Sequence, residues 1–225
     1  KENESVITGK ENIIKKVVSY IESDDLSLQT NAINFIGTFS LLLNKKQIQL
    51  AVDSILHLFQ KAKDNKDRIA YFNALNSIAK TSATKQLDYV KVIFPLISQY
   101  SKKSFLENDA GDYDEKNDLA ESALNLLETY ILKLNTSVSG DCKEIVVNNL
   151  ELIEFDPNYS YEDQNMDEGG EAAYDDEYED YEQVAVMEDS SWKVRRAAVN
   201  VLHSIIKSGI TIEKEQKQLV ISKLV

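Results

Sequence analysis

The side chains of this sequence that could do chemistry are few and widely separated. Two histidines, His57 and His203, and one cysteine, Cys142, occur among 225 residues. None of the three has the neighbours that a nucleophile–base pair, a His/Cys metal site or a phosphate loop requires. A lone cysteine at a helix start is typical of a partly buried structural position. We therefore expect no catalytic residue and no cofactor, and we interpret the protein as a non-enzyme.

One acidic segment matches a calcium-binding loop in part. Asp163, Asn165 and Asp167 supply oxygen ligands at the first, third and fifth positions of such a loop. The sixth position should be glycine but is Glu168, and the twelfth should be glutamate but is Tyr174. The pattern indicates weak, nonspecific cation binding, and we predict no dedicated metal site.

Apolar residues at helical spacing run through almost the whole chain and predict nine helices. These lie near residues 10–23, 25–43, 48–59, 69–78, 87–100, 119–131, 143–153 and 191–207, with the ninth opening near residue 213. Asp24 or Asp25 is the predicted N-cap of the second helix. Two prolines and seven glycines are few for this length and favour helices with short turns. No alternating strand pattern is found, so the predicted fold is all-α.

The predicted helices repeat in pairs. A small and a large apolar residue mark every second helix, at Ala32/Ile36, Ala74/Ile78, Ala123/Leu127 and Ala198/Leu202. Two-helix periods near 40–47 residues are typical of HEAT or armadillo arrays. Pro95 interrupts the first helix of the third pair, as prolines often do in HEAT pairs. We expect residues 1–225 to form one HEAT-repeat α-solenoid of about four and a half pairs.

An acidic insertion separates the last two marker pairs. Residues 154–190 contain 15 Asp or Glu and no Lys or Arg, so the rest of the chain has 23 acidic and 25 basic residues. Such a tract has too little apolar surface to form a core, and we expect a flexible loop within one repeat. The remaining scaffold is nearly neutral and has no basic stripe, so nucleic acid is not an expected partner. No apolar stretch is long enough to cross a membrane, and the single cysteine fits a reducing compartment.

Both flanks of this tract carry a resemblance. The entry reads Phe155-Asp156-Pro157-Asn158-Tyr159, and the exit reads Ser191-Trp192-Lys193-Val194-Arg195-Arg196-Ala197-Ala198. With Val92-Ile93-Phe94-Pro95-Leu96-Ile97 upstream, these segments resemble the cullin-associated, neddylation-dissociated protein family, in which a long acidic loop interrupts a HEAT array. Five tyrosines in the tract, at 159, 161, 174, 178 and 181, depart from the plainer acidic loops of that family.

The resemblance implies a function. The family's proteins are not enzymes: they bind an unneddylated cullin and its RING subunit and promote exchange of substrate-receptor modules of cullin–RING ubiquitin ligases. The chain would then be a fragment of a larger HEAT protein, located in the cytoplasm and nucleus. The alternatives are a HEAT-repeat nuclear transport receptor, which would bind basic cargo, and another assembly scaffold. The exit motif argues against the transport receptor.

Two sets of residues are expected to matter. Second helices of the pairs form the concave face of a solenoid, and solvent-facing positions there are the candidate partner contacts: Arg68, Tyr71, Glu121, Asn125, Lys193 and Arg196. The second set is structural. Asp189 should favour the positive end of the following helix, and Arg195 should pair with acidic residues between neighbouring repeats. Trp192 is expected to pack between repeats.

Overall fold

The computed structural model describes residues 4–108, 112–135, 142–155, 190–210 and 213–224. Within these ranges the chain is helical and has no strand, so the predicted all-α fold is confirmed. The α-helices in chain order are α1 Glu4–Ile21, α2 Leu26–Phe39, α3 Lys45–Lys61, α4 Asn65–Ser82, α5 Val90–Tyr100, α6 Lys103–Leu106, α7 Tyr113–Leu134, α8 Cys142–Ile153, α9 Ser191–Lys207 and α10 Lys214–Leu224. Two 3₁₀ helices, Ser40–Leu42 and Ala83–Tyr89, follow α2 and α4.

The helices form two layers. The second helices α2, α4, α7 and α9 stack on one another in that order, each packing on the next. The first helices α1, α3, α5 and α8 lie against them, and α10 packs on α8. Each helix pair therefore contacts mainly its neighbours, as in a HEAT-like solenoid.

Side-chain caps fix where several helices begin. Asp25 accepts hydrogen bonds from the backbone N–H groups of Ser27 and Leu28 at 2.9 and 3.1 Å, so it is the N-cap of α2. Asn44 and Gln47 form a reciprocal capping box at the start of α3. These bonds satisfy backbone donors that have no partner within the helix. The links between paired helices are short: residues 22–25 join α1 to α2, and residues 62–64 join α3 to α4.

The marker residues of the repeat form the core between the layers. All eight have at most 5% of their surface exposed: Ala32, Ile36, Ala74, Ile78, Ala123, Leu127, Ala198 and Leu202. Helices α2 and α4, the second helices of the first two pairs, lie very close together at Gly37. A Cβ atom added to Gly37 would lie 2.0 Å from Oγ of Ser77. Only a residue without a side chain allows that contact.

An aromatic cluster joins the second and third pairs. It consists of Phe59 from α3, Tyr71 and Phe72 from α4, Tyr100 from α5 and Phe105 from α6. Ring centroids of Phe59 and Phe72 lie 4.8 Å apart, and those of Phe72 and Tyr100 lie 6.0 Å apart. Edge-to-face contacts at such distances add to the gain from apolar burial.

The structure differs from the predicted helices in several places. Helix α1 begins at Glu4, and residues 4–9 extend it beyond the predicted start. The predicted helix near 87–100 is divided, because the 3₁₀ helix Ala83–Tyr89 precedes α5 and leaves Leu87 41% exposed. A helical turn, α6, also lies between residues 100 and 119, where the sequence predicts no helix. Of the helices described, none is long and apolar enough to span a membrane.

Candidate partner-binding surface

An ion-pair ladder joins α7 and α9. The Nζ atom of Lys193 lies 2.7 Å from Oδ1 of Asp118, and Nη2 of Arg196 lies 2.7 Å from Oε1 of Glu121. We call these two pairs the α7–α9 ladder. Its side chains lie at the surface, with exposed fractions from 21% for Glu121 to 57% for Arg196. The ladder sets the register of the two helices and leaves both signs of charge accessible to a partner.

The hydrogen bond to Asp118 is the largest cause of a raised pKa at Lys193. Burial of the ammonium acts in the opposite direction, and the carboxylates of Asp118, Glu121 and Asp114 add to the increase. The amine is therefore a permanent cation at neutral pH. Because both partners are partly solvated, the stabilisation from such a pair is small, about 0.2–1 kcal/mol.

The amino end of α9 is held by polar contacts to α7. Asn117 donates from Nδ2 to Oγ of Ser190 at 2.8 Å, and the Ser190 hydroxyl also bonds to the carboxylate of Asp114. Asn117 is 2% exposed, so this contact lies inside the junction. Together with the ladder, these bonds fix the first two turns of α9 on α7.

Arg195 connects the residues on either side of the acidic tract. Its Nη1 atom donates to the carbonyl oxygen of Phe155 at 2.8 Å and to Oγ of Ser191 at 2.6 Å. Phe155 is 3% exposed and Ser191 is fully buried. The two described residues nearest to the tract in this contact, Phe155 and Ser191, are therefore held close together by one side chain. Ion pairs to acidic residues of the neighbouring repeat are formed by Lys193 and Arg196.

The predicted contact residues fall into two groups. Glu121, Lys193 and Arg196 are brought together in the ladder, and Asn125 lies half-buried one turn farther along α7. Arg68 lies on α4, away from them. Its guanidinium donates to the carbonyl oxygen of Ala62 and to Oδ1 of Asn65, both at 2.9 Å. These bonds hold the turn between α3 and α4.

The solvent-facing position predicted for Tyr71 is wrong. Tyr71 is 3% exposed and its ring centroid lies 6.4 Å from that of Phe59 in the aromatic cluster. Burial, aided by the charge of Asp67, raises the pKa of the Tyr71 phenol to about 12. The helical phase explains the error, since position 71 shares a face with the core residues Ala74 and Ile78.

The packing role predicted for Trp192 is not what the described residues show. Its side chain is 47% exposed, and the Arg196 guanidinium carbon lies 4.7 Å from the centre of its ring. The buried face of α9 contains Val194, Ala198 and Val201, and Trp192 lies on the other side. Pro95 lies inside α5, which packs on α7 as the first helix of the third pair.

Several predictions concern residues outside the described ranges. Asp189, the acidic tract 156–189 with its partial calcium loop, and the side chain of Cys142 belong to this set. His57 and His203 both lie in described helices, α3 and α9. Within the described ranges, no group of three or more His, Cys, Asp or Glu residues could hold a metal ion.

The pairing within the ladder, and Asp118 as a member of it, were not predicted from the sequence, although a signal for them exists. Asp118 and Lys193 are 75 residues apart in the sequence, as are Glu121 and Arg196, and each pair is hydrogen-bonded. The markers Ala123 and Ala198 have the same separation. Opposite charges at the repeat spacing therefore predict cross-repeat pairs.

Comparison with known proteins gives a distant relative. No family model matches the chain. The chain is similar to cullin-associated NEDD8-dissociated protein 1 of Drosophila melanogaster, with 26% identity over 197 residues. The alignment covers 87% of this chain but only 15% of the relative's length. The likeness thus extends over nearly the whole helical array.

Proposed function

We propose that this chain is part of a non-catalytic regulator of cullin–RING ubiquitin ligases. It binds the unneddylated cullin and its RING subunit, and it promotes exchange of substrate-receptor modules. The supporting observation is the alignment over 87% of the chain to a protein whose name records association with cullin and dissociation from NEDD8. The repeat fold agrees with a role in binding a large protein surface. Such a protein acts in the cytoplasm and the nucleus, without nucleic acid or a cofactor as partner.

The α7–α9 ladder is the proposed contact surface within the chain. It offers Lys193 and Arg196 on α9, Glu121 and Asn125 on α7, and the exposed stack of Trp192 on Arg196. Charge at the rim of an interface affects association rate and specificity more than affinity. Tyr71 is excluded from this surface because it is buried. Arg68, whose guanidinium holds the turn before α4, stays a candidate contact outside the ladder.

Cullin binding is tested by pull-down with a purified cullin–RING pair, unmodified or conjugated to NEDD8. We expect the unmodified pair to bind and the conjugated pair to bind less. Equal retention of both forms would contradict the dependence on modification. No retention of either form, by this chain or by the gene-encoded protein, would contradict the function itself.

The contact surface is tested by exchanging charges within one pair. The double variant Glu121→Arg with Arg196→Glu keeps an ion pair between the helices but reverses the charge that each helix presents. We expect it to fold as the parent does and to bind the cullin–RING pair more weakly. A matched control exchanges Lys45 and Asp88, an exposed pair 2.7 Å apart on the other layer. If the first variant binds the cullin–RING pair as strongly as the parent does, the ladder is not part of the interface.

A further inference from the structure

A groove separates two neighbouring helices in the layer of first helices. It lies between α5 and α8, above α7, and its volume of about 700 Å³ is within the usual range of ligand pockets. Helices α1 and α3 pack along each other, whereas α5 and α8 are separated by this space. We call it the α5–α8 groove. Its apolar lining residues are Phe94, Pro95, Ile97, Leu127 and Ile145.

A buried amide in this groove has a hydrogen-bond acceptor without a donor. Asn149 of α8 lines the groove and is 2% exposed. Its Nδ2 atom donates to the carbonyl oxygen of Ile145 at 2.7 Å, and this bond fixes the orientation of the amide. Its Oδ1 atom is buried and has no hydrogen-bond partner among the described residues. Leaving such an acceptor unpaired is costly, so a ligand that supplies a donor there gains affinity.

Pro95 adds a second acceptor on the opposite wall. Proline has no backbone N–H, so α5 supplies no i+4 donor to the carbonyl oxygen of Lys91, and both residues line the groove. At the rim, Nζ of Lys102 lies 3.2 Å from Oε1 of Glu144, and the Ser98 hydroxyl donates to the same oxygen at 3.3 Å. The groove therefore combines apolar walls, acceptors that lack their usual donors, and two lysine side chains.

We propose that the α5–α8 groove binds a tryptophan side chain presented by a peptide segment of a partner protein. The indole N–H is a donor that cannot accept, so it matches the unpaired Oδ1 atom of Asn149. The ring packs on the apolar walls, and a backbone N–H of the peptide bonds to the Lys91 carbonyl. Lysine ammonium groups at the rim add attraction, since cations favour the indole face over other aromatic rings. Large aromatic anchors in desolvated pockets are typical centres of protein interfaces.

Other side chains fit this chemistry less well. A phenylalanine ring would leave the Asn149 acceptor unpaired, and a carboxylate would bring further acceptors to it. A tyrosine hydroxyl supplies a donor, but it also buries an oxygen that needs a donor of its own. The groove belongs to first helices, whereas the α7–α9 ladder belongs to second helices. The inference therefore does not depend on the proposed cullin binding.

The test uses the N-acetyl amides of tryptophan, tyrosine and phenylalanine as probes. Each is titrated into the isotope-labelled protein, and the NMR shifts of backbone amides in α5 and α8 report binding. We expect the tryptophan amide to bind about two- to tenfold more tightly than the phenylalanine amide, the effect of one hydrogen bond, with tyrosine between them. In Asn149→Leu this ratio should fall to about one, because the acceptor is gone.

A second variant closes the groove without removing its acceptor. Asn148→Trp places a large side chain among the lining residues and should abolish binding of all three amides. Val147→Trp is the matched control, since Val147 is the adjacent residue of α8, is 39% exposed and lies outside the lining. It should bind as the parent does. Urea denaturation of each variant checks that the fold is retained.

Several results would overturn the proposal. One is equal affinity of the tryptophan and phenylalanine amides for the parent, or no binding of either up to the solubility limit. Another is a tryptophan preference that survives in Asn149→Leu. Binding that appears only after the five tyrosines of the acidic tract are replaced by phenylalanine would assign the groove to the chain itself. Self-association that both Trp192→Phe and Asn148→Trp abolish would assign it to a second copy, through the exposed Trp192.

Discussion

The aromatic cluster and the α7–α9 ladder both hold neighbouring helix pairs together, but by different means. The cluster joins α3, α4, α5 and α6 through rings such as Phe72, which is fully buried. The ladder joins α7 and α9 through charges that remain partly in water. Apolar burial is worth much more than a solvated ion pair. The comparison indicates that the cluster supplies stability, whereas the ladder supplies register and a polar surface.

The largest effect is expected from Phe72→Ala. The substitution removes a fully buried ring that contacts Phe59 and Tyr100, and it leaves a cavity. The free energy of unfolding should fall by about 3–5 kcal/mol, measured by urea denaturation. Phe35→Ala is the matched control, since Phe35 is 46% exposed and should cost much less. Similar losses from the two variants would show that the cluster is not a centre of stability.

Gly37→Ala tests whether close helix approach matters as much as ring packing. The added methyl group would lie 2.0 Å from Oγ and 2.9 Å from the backbone oxygen of Ser77, so α2 and α4 must separate. We expect a loss of about 1–3 kcal/mol in the free energy of unfolding. Gly9→Ala in α1 meets nothing within 4 Å and should instead stabilise the helix slightly. A neutral Gly37→Ala would mean that the second helices can slide apart freely.

Arg195→Ala tests the junction beside the ladder. It removes the donor to the buried Phe155 carbonyl and the contact with Ser191. We expect a loss of about 1–3 kcal/mol in the free energy of unfolding, because a buried acceptor loses its partner. Hydrogen exchange should rise in the last turn of α8 and the first turn of α9. Arg195→Lys is the control, since a single ammonium cannot span both acceptors as the guanidinium fork does. Full retention of stability by the lysine variant would show that charge alone suffices.

The ladder should give the smallest effect. A double-mutant cycle on Glu121 and Arg196 is expected to yield a coupling of about 0.2–1 kcal/mol. The coupling should shrink as salt rises from about 0.05 to about 1 M, because exposed charges are screened. A coupling free energy above that range that does not change with salt concentration would show that the ladder, like the aromatic cluster, is a source of stability.

Alkaline pH provides a second test of the ladder. The bond to Asp118 raises the pKa of Lys193 above its ordinary value of 10.5. A raised folded-state pKa means that the stabilisation is fully present below about the unfolded value and disappears as pH rises through the folded value. Unfolding of the parent and of Asp118→Asn should therefore differ at neutral pH and converge above the lysine pKa. A difference that persists there would show that charge on Lys193 is not its source.

The residue pattern predicts the helices and their pairing better than it predicts which side chains are exposed. The small and large markers at Ala74 and Ile78 identify second helices because the core repeats with the helix pair. Asp25 is identifiable as a cap because its chemistry is local. Tyr71 has the helical phase of Ala74 and Ile78, so its burial could have been predicted from the sequence. The exposure of Trp192 depends on which neighbouring helix covers its face, and the periodicity of α9 alone does not contain that information.

The two bonds of Arg195 have a consequence for how this gene can change. Because Arg195 holds Phe155 beside Ser191, these two positions stay together whatever number of residues separates them along the chain. For a flexible segment, the entropic cost of bringing its ends together grows only logarithmically, by roughly 0.6 kcal/mol for each doubling in length. Insertions and deletions within the tract should therefore accumulate freely between related genes, while the codon for Arg195 stays under purifying selection.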